Sequence, residues 1–293
     1  MQTSTARFEQ HRNRLLGLAY RMLGSFMDAE DVVQDAWLKW SQSKLETIRS
    51  DEAFLTTLVS RLCLDKLKHE QVRRKAYLGP WLPEPVESHS LSALAVTEYA
   101  DDISYAFLVA LERLSPLERV AFLLHDIFDL SLTEIGEIIE RSESAVRQLA
   151  SRARKSVAKP RSQQAPAESQ QKMLSAFIEA ITLGSVENLK SLLKDDALLI
   201  SDGGGKRSAA LRPIYGADKI LRLLMGLKRK FPVAENSITL EPVNVNGDVG
   251  VLMFIEGELE QLIILETDGT KISEAYIVRN PDKLNHWFKN WLS

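Results

Sequence analysis

A single cysteine, Cys63, rules out an intrachain disulfide and any cysteine-based metal site. Histidine is also scarce, at five in 293 residues. No uninterrupted apolar run approaches the roughly 18 residues that span a bilayer. The first ten residues are polar and lack the apolar core of a signal peptide. These absences predict a protein of the reducing cytoplasm with no membrane partner. Cationic excess is missing too. The formal net charge is −3 and the sequence pI is about 6.0, which argues against a free-standing nucleic-acid binder held by Lys and Arg alone. No solenoid-type repeat is found. What is present is a globular composition, 45% hydrophobic and 26% charged, on a chain long enough for two or three domains.

The charge is unevenly spread. Arg141, Arg147, Arg152, Arg154, Lys155, Lys159 and Arg161 fall in one stretch opposed only by Glu143. Arg61, Lys66, Lys68, Arg73, Arg74 and Lys75 form a second basic run, interrupted by Asp65 and Glu70. Such runs are commonly solvated helix faces, so context decides.

Helical spacing of Phe8, Leu15, Leu18, Ala19 and Met22 predicts a first helix. Asp28 reads as the N-cap of a second, with Ala29, Val32, Val33, Ala36, Trp37 and Trp40 as its apolar stripe. A third runs from about Asp51 into the basic run, with Leu55, Leu58, Val59 and Leu62 inward. Three prolines in Gly79-Pro80-Trp81-Leu82-Pro83-Glu84-Pro85 then remove amide donors and end regular structure. A plain tether would be polar. Trp81 and Leu82 therefore predict a linker docked on a folded surface. Ser115-Pro116-Leu117-Glu118 and Ser131-Leu132-Thr133-Glu134 are two capping boxes, and a third helix start lies at Ser142. A second linker, 161–169, precedes a change of composition. Met173, Phe177, Ile178 and Ile181 predict a helix, Ala197–Ser201 a strand, and 217–230 another helix. Hairpin dipeptides Asn246-Gly247 and Asp268-Gly269 mark an antiparallel sheet over 238–279, with a closing helix over 281–292.

The closely spaced helices over 132–158 suggest a helix-turn-helix or a plain helical hairpin. Leu132, Ile135, Ile138 and Ile139 face inward on the first helix; Val146 and Leu149 anchor the second. That second helix projects Glu143, Ser144, Arg147, Gln148, Ser151 and Arg152 outward, as a recognition helix in the major groove requires. Arg154, Lys155 and Lys159 suit phosphate contacts. The turn carries Glu140-Arg141 where many such units have glycine, at a cost of about 1 kcal/mol if φ is positive there. Cys63, between Leu62 and Leu64, reads as a small buried hydrophobe.

Asp28-Ala29-Glu30-Asp31-Val32-Val33-Gln34-Asp35-Ala36-Trp37 resembles the region 2 helix with which sigma factors bind the polymerase clamp. Leu111–Arg119, followed by Leu132–Ile138, resembles region 4 of extracytoplasmic-function sigma factors. Order and spacing fit over 7–158. The resemblance implies that Glu30, Asp31, Gln34 and Asp35 engage RNA polymerase core. It further implies that region 2 captures a displaced "−10" base in the loop Ser41–Asp51, with Arg61, Lys66, Arg73 and Arg74 along the strand path. Region 4 would read the "−35" element of promoter DNA through Arg147 and its neighbours.

Trp81-Leu82-Pro83-Glu84-Pro85, Asp202-Gly203-Gly204-Gly205-Lys206 and Asn280-Pro281-Asp282-Lys283-Leu284 resemble three motifs of the subgroup fused to a SnoaL-like domain. The implied fold is multidomain: sigma region 2 as a helical bundle (1–78), a linker (79–102), the region 4 helix-turn-helix (103–160), and after 161–169 an α+β SnoaL-like cone with a curved antiparallel sheet (170–293). The resemblance implies that the last domain regulates in cis, with no separate anti-sigma factor. Trp81 and Leu82 should then lie near the Asp202 loop and Asn280–Leu284. Related cones host enzymes with a pocket carboxylate, for which Asp202, Glu256, Glu266 and Glu274 are candidates. His286 is the only histidine after His125, so the reading is non-enzymatic, with no cofactor. A DNA-binding regulator whose cone senses a small molecule is the alternative.

Overall fold

The structure is a computed structural model that describes residues 3–74, 76–88, 104–157, 165–230 and 237–289, the side chains of 286–289 excepted. Lys75, Lys159, Arg161, residues 89–102 of the first linker and 161–164 of the second, the His286 side chain and the end of the closing helix lie outside the described residues. The chain forms two compact units. One comprises 1–75 and 88–159; the other comprises 76–87 and 160–293. The proline-rich segment thus groups with the C-terminal unit.

The first unit is helical: α1 (Ser4–Leu23), α2 (Phe26–Ser41), α3 (Asp51–Arg74), α4 (Tyr105–Leu111), α5 (Pro116–Phe122), α6 (Leu132–Ile139) and α7 (Glu143–Val157). Gly24, at φ 68°, ends α1, and Ser25 caps α2 by accepting from the Asp28 amide. The cap is therefore three residues earlier than Asp28. A serine next to a left-handed glycine ends one helix and starts the next, leaving Asp28 in the first turn beside the helix dipole. On α3 the buried stripe is Leu55, Thr56, Val59, Ser60, Cys63, Leu64 and Leu67, while Leu58 and Leu62 are half-buried. The stripe is rotated because Thr56, Ser60 and Cys63 take inward positions that polarity alone would not assign. Burial drives the Cys63 thiol pKa up. Both predicted capping boxes form, at Ser115/Glu118 and Ser131/Glu134, and α5 continues into a π turn, Leu123–Ile127.

The second unit contains α8 (Ala167–Leu183), α9 (Val186–Leu192), β1 (Leu193–Asp202), β2 (Ile214–Tyr215), α10 (Ala217–Lys230), β3 (Ile238–Val245), β4 (Asp248–Ile255), β5 (Glu258–Thr267), β6 (Ile272–Val278) and α11 (Pro281–Lys289). The strand order is β2-β1-β6-β5-β4-β3. Strands β3 to β6 form the predicted meander. Asn246-Gly247 turns at φ 52° and 78°, and Glu256-Gly257 makes a second two-residue turn at φ 53° and 80°. The sheet is mixed rather than wholly antiparallel, because β1 runs parallel to β6. Hairpin dipeptides dictate only local pairings; β1 is placed by burial of Leu199 and Ala197 against the helices. The core joins Phe177 of α8, Leu189 of α9 and Ile220 and Leu224 of α10 to Leu199, Val251, Ile263 and Ile277 of the sheet.

Candidate functional site

In the helical unit, Glu140 closes α6 in the left-handed region at φ 56°, ψ 52°, its amide donating to the Gly136 carbonyl. Gly136 is required there, since an added Cβ would lie 2.6 Å from the Arg141 carbonyl oxygen. This tight turn aims α7. Val146, Leu149, Ala150 and Ala153 anchor its inner face, and Glu143, Ser144, Arg147, Gln148, Ser151, Arg152 and Lys155 are all exposed on the outer one. Arg147 pairs with Glu143 at 2.5 Å, Arg152 with Glu118 at 2.8 Å and Arg154 with Asp126 at 2.7 Å. Arg152 and the Ser115 cap hold the Glu118 carboxyl below its ordinary range.

On α2, Glu30, Asp31, Gln34 and Asp35 are exposed, flanked at helical spacing by the exposed side chains of Met27 and Leu38. The strip is an acidic centre with apolar ends, a form suited to a basic protein surface rather than to DNA. The loop Ser41–Asp51 carries one 3-10 turn, Leu45–Thr47, and Asp51 is tied to Arg7.

In the C-terminal unit, Asp202 is fully buried at the end of β1. Its Oδ1 accepts from the Tyr77 hydroxyl (2.6 Å) and the Gly204 amide (2.9 Å). Its Oδ2 accepts from the Leu82 amide (2.9 Å) and pairs with Lys283 Nζ (2.7 Å). Lys283 also donates to the Leu82 carbonyl and stands 3.8 Å from the Trp81 ring centroid, a cation–π geometry. Asn280 donates to the Tyr77 oxygen at 2.9 Å and accepts from the Asp282 amide at 3.1 Å, and Lys206 pairs with Asp282 at 2.6 Å. Burial and the adjacent Asp202 carboxylate push the Tyr77 hydroxyl pKa up. Gly203 and Gly204 have no room for a Cβ, which would strike the Arg207 carbonyl and the Asn280 side chain respectively; Gly205 lies against Leu78. Leu82 and Pro83 through Val86 are buried, as is Leu284 in α11.

The sequence matches the family models described as Sigma-70 region 2, over residues 7–73, and Sigma-70 region 4, over 104–157. It is 38% identical over 291 residues to the ECF RNA polymerase sigma factor SigJ of Mycobacterium tuberculosis, covering 94% of this chain and 91% of that one. The chain belongs to the ECF sigma factors. The crystal structure of SigJ superposes with TM-score 0.75 at 35% identity, covering 96% of this sigma factor and 98% of that chain. The probable ECF sigma factor SigI of the same species is 29% identical, covering 96% and 94%. Sigma factors are initiation factors that act with RNA polymerase core at promoter DNA, not enzymes. The two sigma regions form the helical unit and an α+β domain with a six-stranded mixed sheet follows.

Within this sigma factor the predicted site residues sort unevenly. The α7 set lies together on one exposed face, as does the α2 set. The strand-path set does not: Arg61 and Arg74 contact region 4, and Lys66 pairs with Asp28 at 2.6 Å and Asp31 at 3.5 Å. Arg73 is exposed and paired with Glu70 at 2.5 Å. Of the catalytic candidates, Asp202 is enclosed by the donors described, Glu256 is an exposed turn residue, and Glu274 meets the Tyr276 hydroxyl. No group of metal-ligating side chains is found among the described residues, and none of the described helices is long and apolar enough to cross a membrane. Sequence reasoning missed Tyr77, Glu112, Arg119 and Asn246. Tyr77 stands four residues before Trp81, and only a tertiary partner reveals its role. Asn246 looks like turn chemistry alone, yet its side chain accepts from the Val86 amide at 3.1 Å.

Proposed function

We propose that this sigma factor directs transcription from its own class of promoters and is restrained in cis by its C-terminal domain. In this reading α7 meets the −35 element with Arg147, Gln148, Ser151 and Arg152 at base edges and Lys155 on phosphate. The α2 face engages core polymerase. The loop Ser41–Asp51 and Arg73 lie on the −10 strand path. The observation that carries the regulatory part is the Asp202 cluster. Residues 76–87, the first part of the segment that connects region 2 to region 4, belong to the C-terminal unit, with Leu82 buried and both its amide and its carbonyl bonded to side chains of that unit.

Elements named −10 and −35 are separated by about 85 Å of duplex, at roughly 3.4 Å per base pair. In this structure regions 2 and 4 share hydrogen bonds, so simultaneous reading of both elements requires them to separate. A connecting segment immobilised by Asp202, Lys283 and Tyr77 opposes that separation. Core polymerase, or a signal acting on the C-terminal unit, relieves it. Such a device needs no separate anti-sigma factor and no cofactor.

The test is in vitro transcription with purified core on a broad promoter pool, comparing the whole chain with residues 1–165. Promoter-specific transcripts that depend on the protein support the sigma role, and a difference between the two proteins supports control by the C-terminal unit. No transcript from either, with both folded, counts against the promoter reading.

A further inference from the structure

Two cations that the family resemblance assigns to the promoter strand path are held by region 4 inside the helical unit. Arg61 donates to the carbonyls of Glu137 (3.0 Å) and Ile138 (3.3 Å), in the last turn of α6, where a helix leaves acceptors unpartnered. Arg74, at the end of α3, donates to the Glu112 carboxylate and to the Leu23 carbonyl (3.3 Å). The other oxygen of Glu112 accepts from Arg119 at 2.8 Å. Arg119, only 2% exposed, crosses in the opposite direction to the Met22 carbonyl of region 2 (2.8 Å) and also meets Leu111 (2.7 Å). Glu112 therefore sits between one guanidinium from each region.

We infer that Glu112, Arg74, Arg119 and Arg61 form a latch that closes region 2 on region 4 and masks DNA-binding charge until phosphate replaces it. A guanidinium fork binds carboxylate and phosphate with the same geometry, so Glu112 occupies on Arg74 the place of a backbone phosphate. The two halves of the latch are unequal. On opening, Glu112 and Arg119 stay together in region 4 as a neutral pair, so no uncompensated charge remains buried there. Arg74 leaves as a net cation, and Arg61 leaves two carbonyls that water can solvate. The charge released is thus on region 2, where a melted strand would run. Because the Glu112 side chain is largely buried, salt screens the latch weakly. Its natural competitor is a chain of phosphates, which supplies several acceptors at once.

This inference rests on the promoter reading for the identity of the competitor, but closure itself can be measured without polymerase or transcription. Cysteines introduced at exposed Lys39 on α2 and Ser156 on α7 carry spin labels in the full chain; buried Cys63 stays unreactive. The unaltered latch gives a single inter-label distance. Glu112→Gln, and separately Arg61→Ala, should each raise the long-distance population on the order of tenfold, the loss of one charge-assisted bond. Arg61→Ala alters an exposed side chain and leaves no buried charge, so it remains informative if Glu112→Gln unfolds. A wild-type distance distribution in folded Arg61→Ala overturns the latch. Glu112→Gln opens the latch without removing either cation, so it should also bind a fluorescent single-stranded oligonucleotide more tightly by a similar factor, whereas Arg61→Ala, which deletes one of those cations, is read by distance alone; opening of Glu112→Gln with unchanged affinity overturns the masking of DNA-binding charge.

Discussion

Glu140 and Asp202 show how single residues shape this molecule. A non-glycine residue at φ 56° carries a steric cost that glycine lacks. Glu140→Gly should therefore stabilise the helical unit by about 1 kcal/mol, read as a higher urea midpoint with unchanged slope. Gly136→Ala should do the reverse, because its methyl group meets the Arg141 carbonyl. At Asp202 the burial of a carboxylate against Lys283 makes partial removal worse than full removal. Asp202→Asn leaves a buried ammonium and should cost about 3–5 kcal/mol in unfolding experiments on the C-terminal unit. Adding Lys283→Met should recover part of that loss. A double variant no more stable than Asp202→Asn would show that the cluster is held by other contacts.

At the level of elements, the two capping boxes set the start of α5 and α6 and give region 4 an acid limit. Glu134 is held below its ordinary range by the Ser131 hydroxyl and amide, and Glu118 by Arg152 and then Ser115. A depressed folded pKa contributes stability that is complete above the unfolded value, about 4.3, and is lost as pH falls through the folded value. Region 4 should accordingly lose helix below about pH 4, a loss visible by circular dichroism and less steep in Glu134→Gln. The boxes were legible in sequence because each needs only four local residues. The α10 helix was equally plain from its apolar spacing. Less legible were the rotation of α3, where Thr56 and Ser60 are buried, and the parallel pairing of β1 with β6, a contact between residues about 80 positions apart. The Glu256-Gly257 turn escaped because glutamate rarely takes a left-handed conformation. In the site, the docking of Trp81 and Leu82 was legible from apolar residues inside a proline-rich linker, whereas their partners at Asp202 and Asn280–Leu284 were readable only through family resemblance. Tyr77 and Glu112 were not readable at all, since their roles depend on groups far away in sequence.

For the whole molecule, a net charge of −3 is reconciled with promoter recognition by division of labour. Polymerase supplies most of the nucleic-acid affinity in this account, and the sigma unit keeps part of its own positive charge paired internally. In the proposed reading the C-terminal unit adds control by holding residues 76–87 of the segment that joins regions 2 and 4. The most direct test is transcription at limiting core polymerase from a promoter the protein recognises, comparing the wild-type chain with folded Asp202→Ala. Asp202→Ala should give more transcript with unchanged promoter choice, because the connecting segment is released while α7 is intact. Equal output from the two proteins, across the whole range of core concentration, would mean that the Asp202 cluster does not restrain the sigma regions.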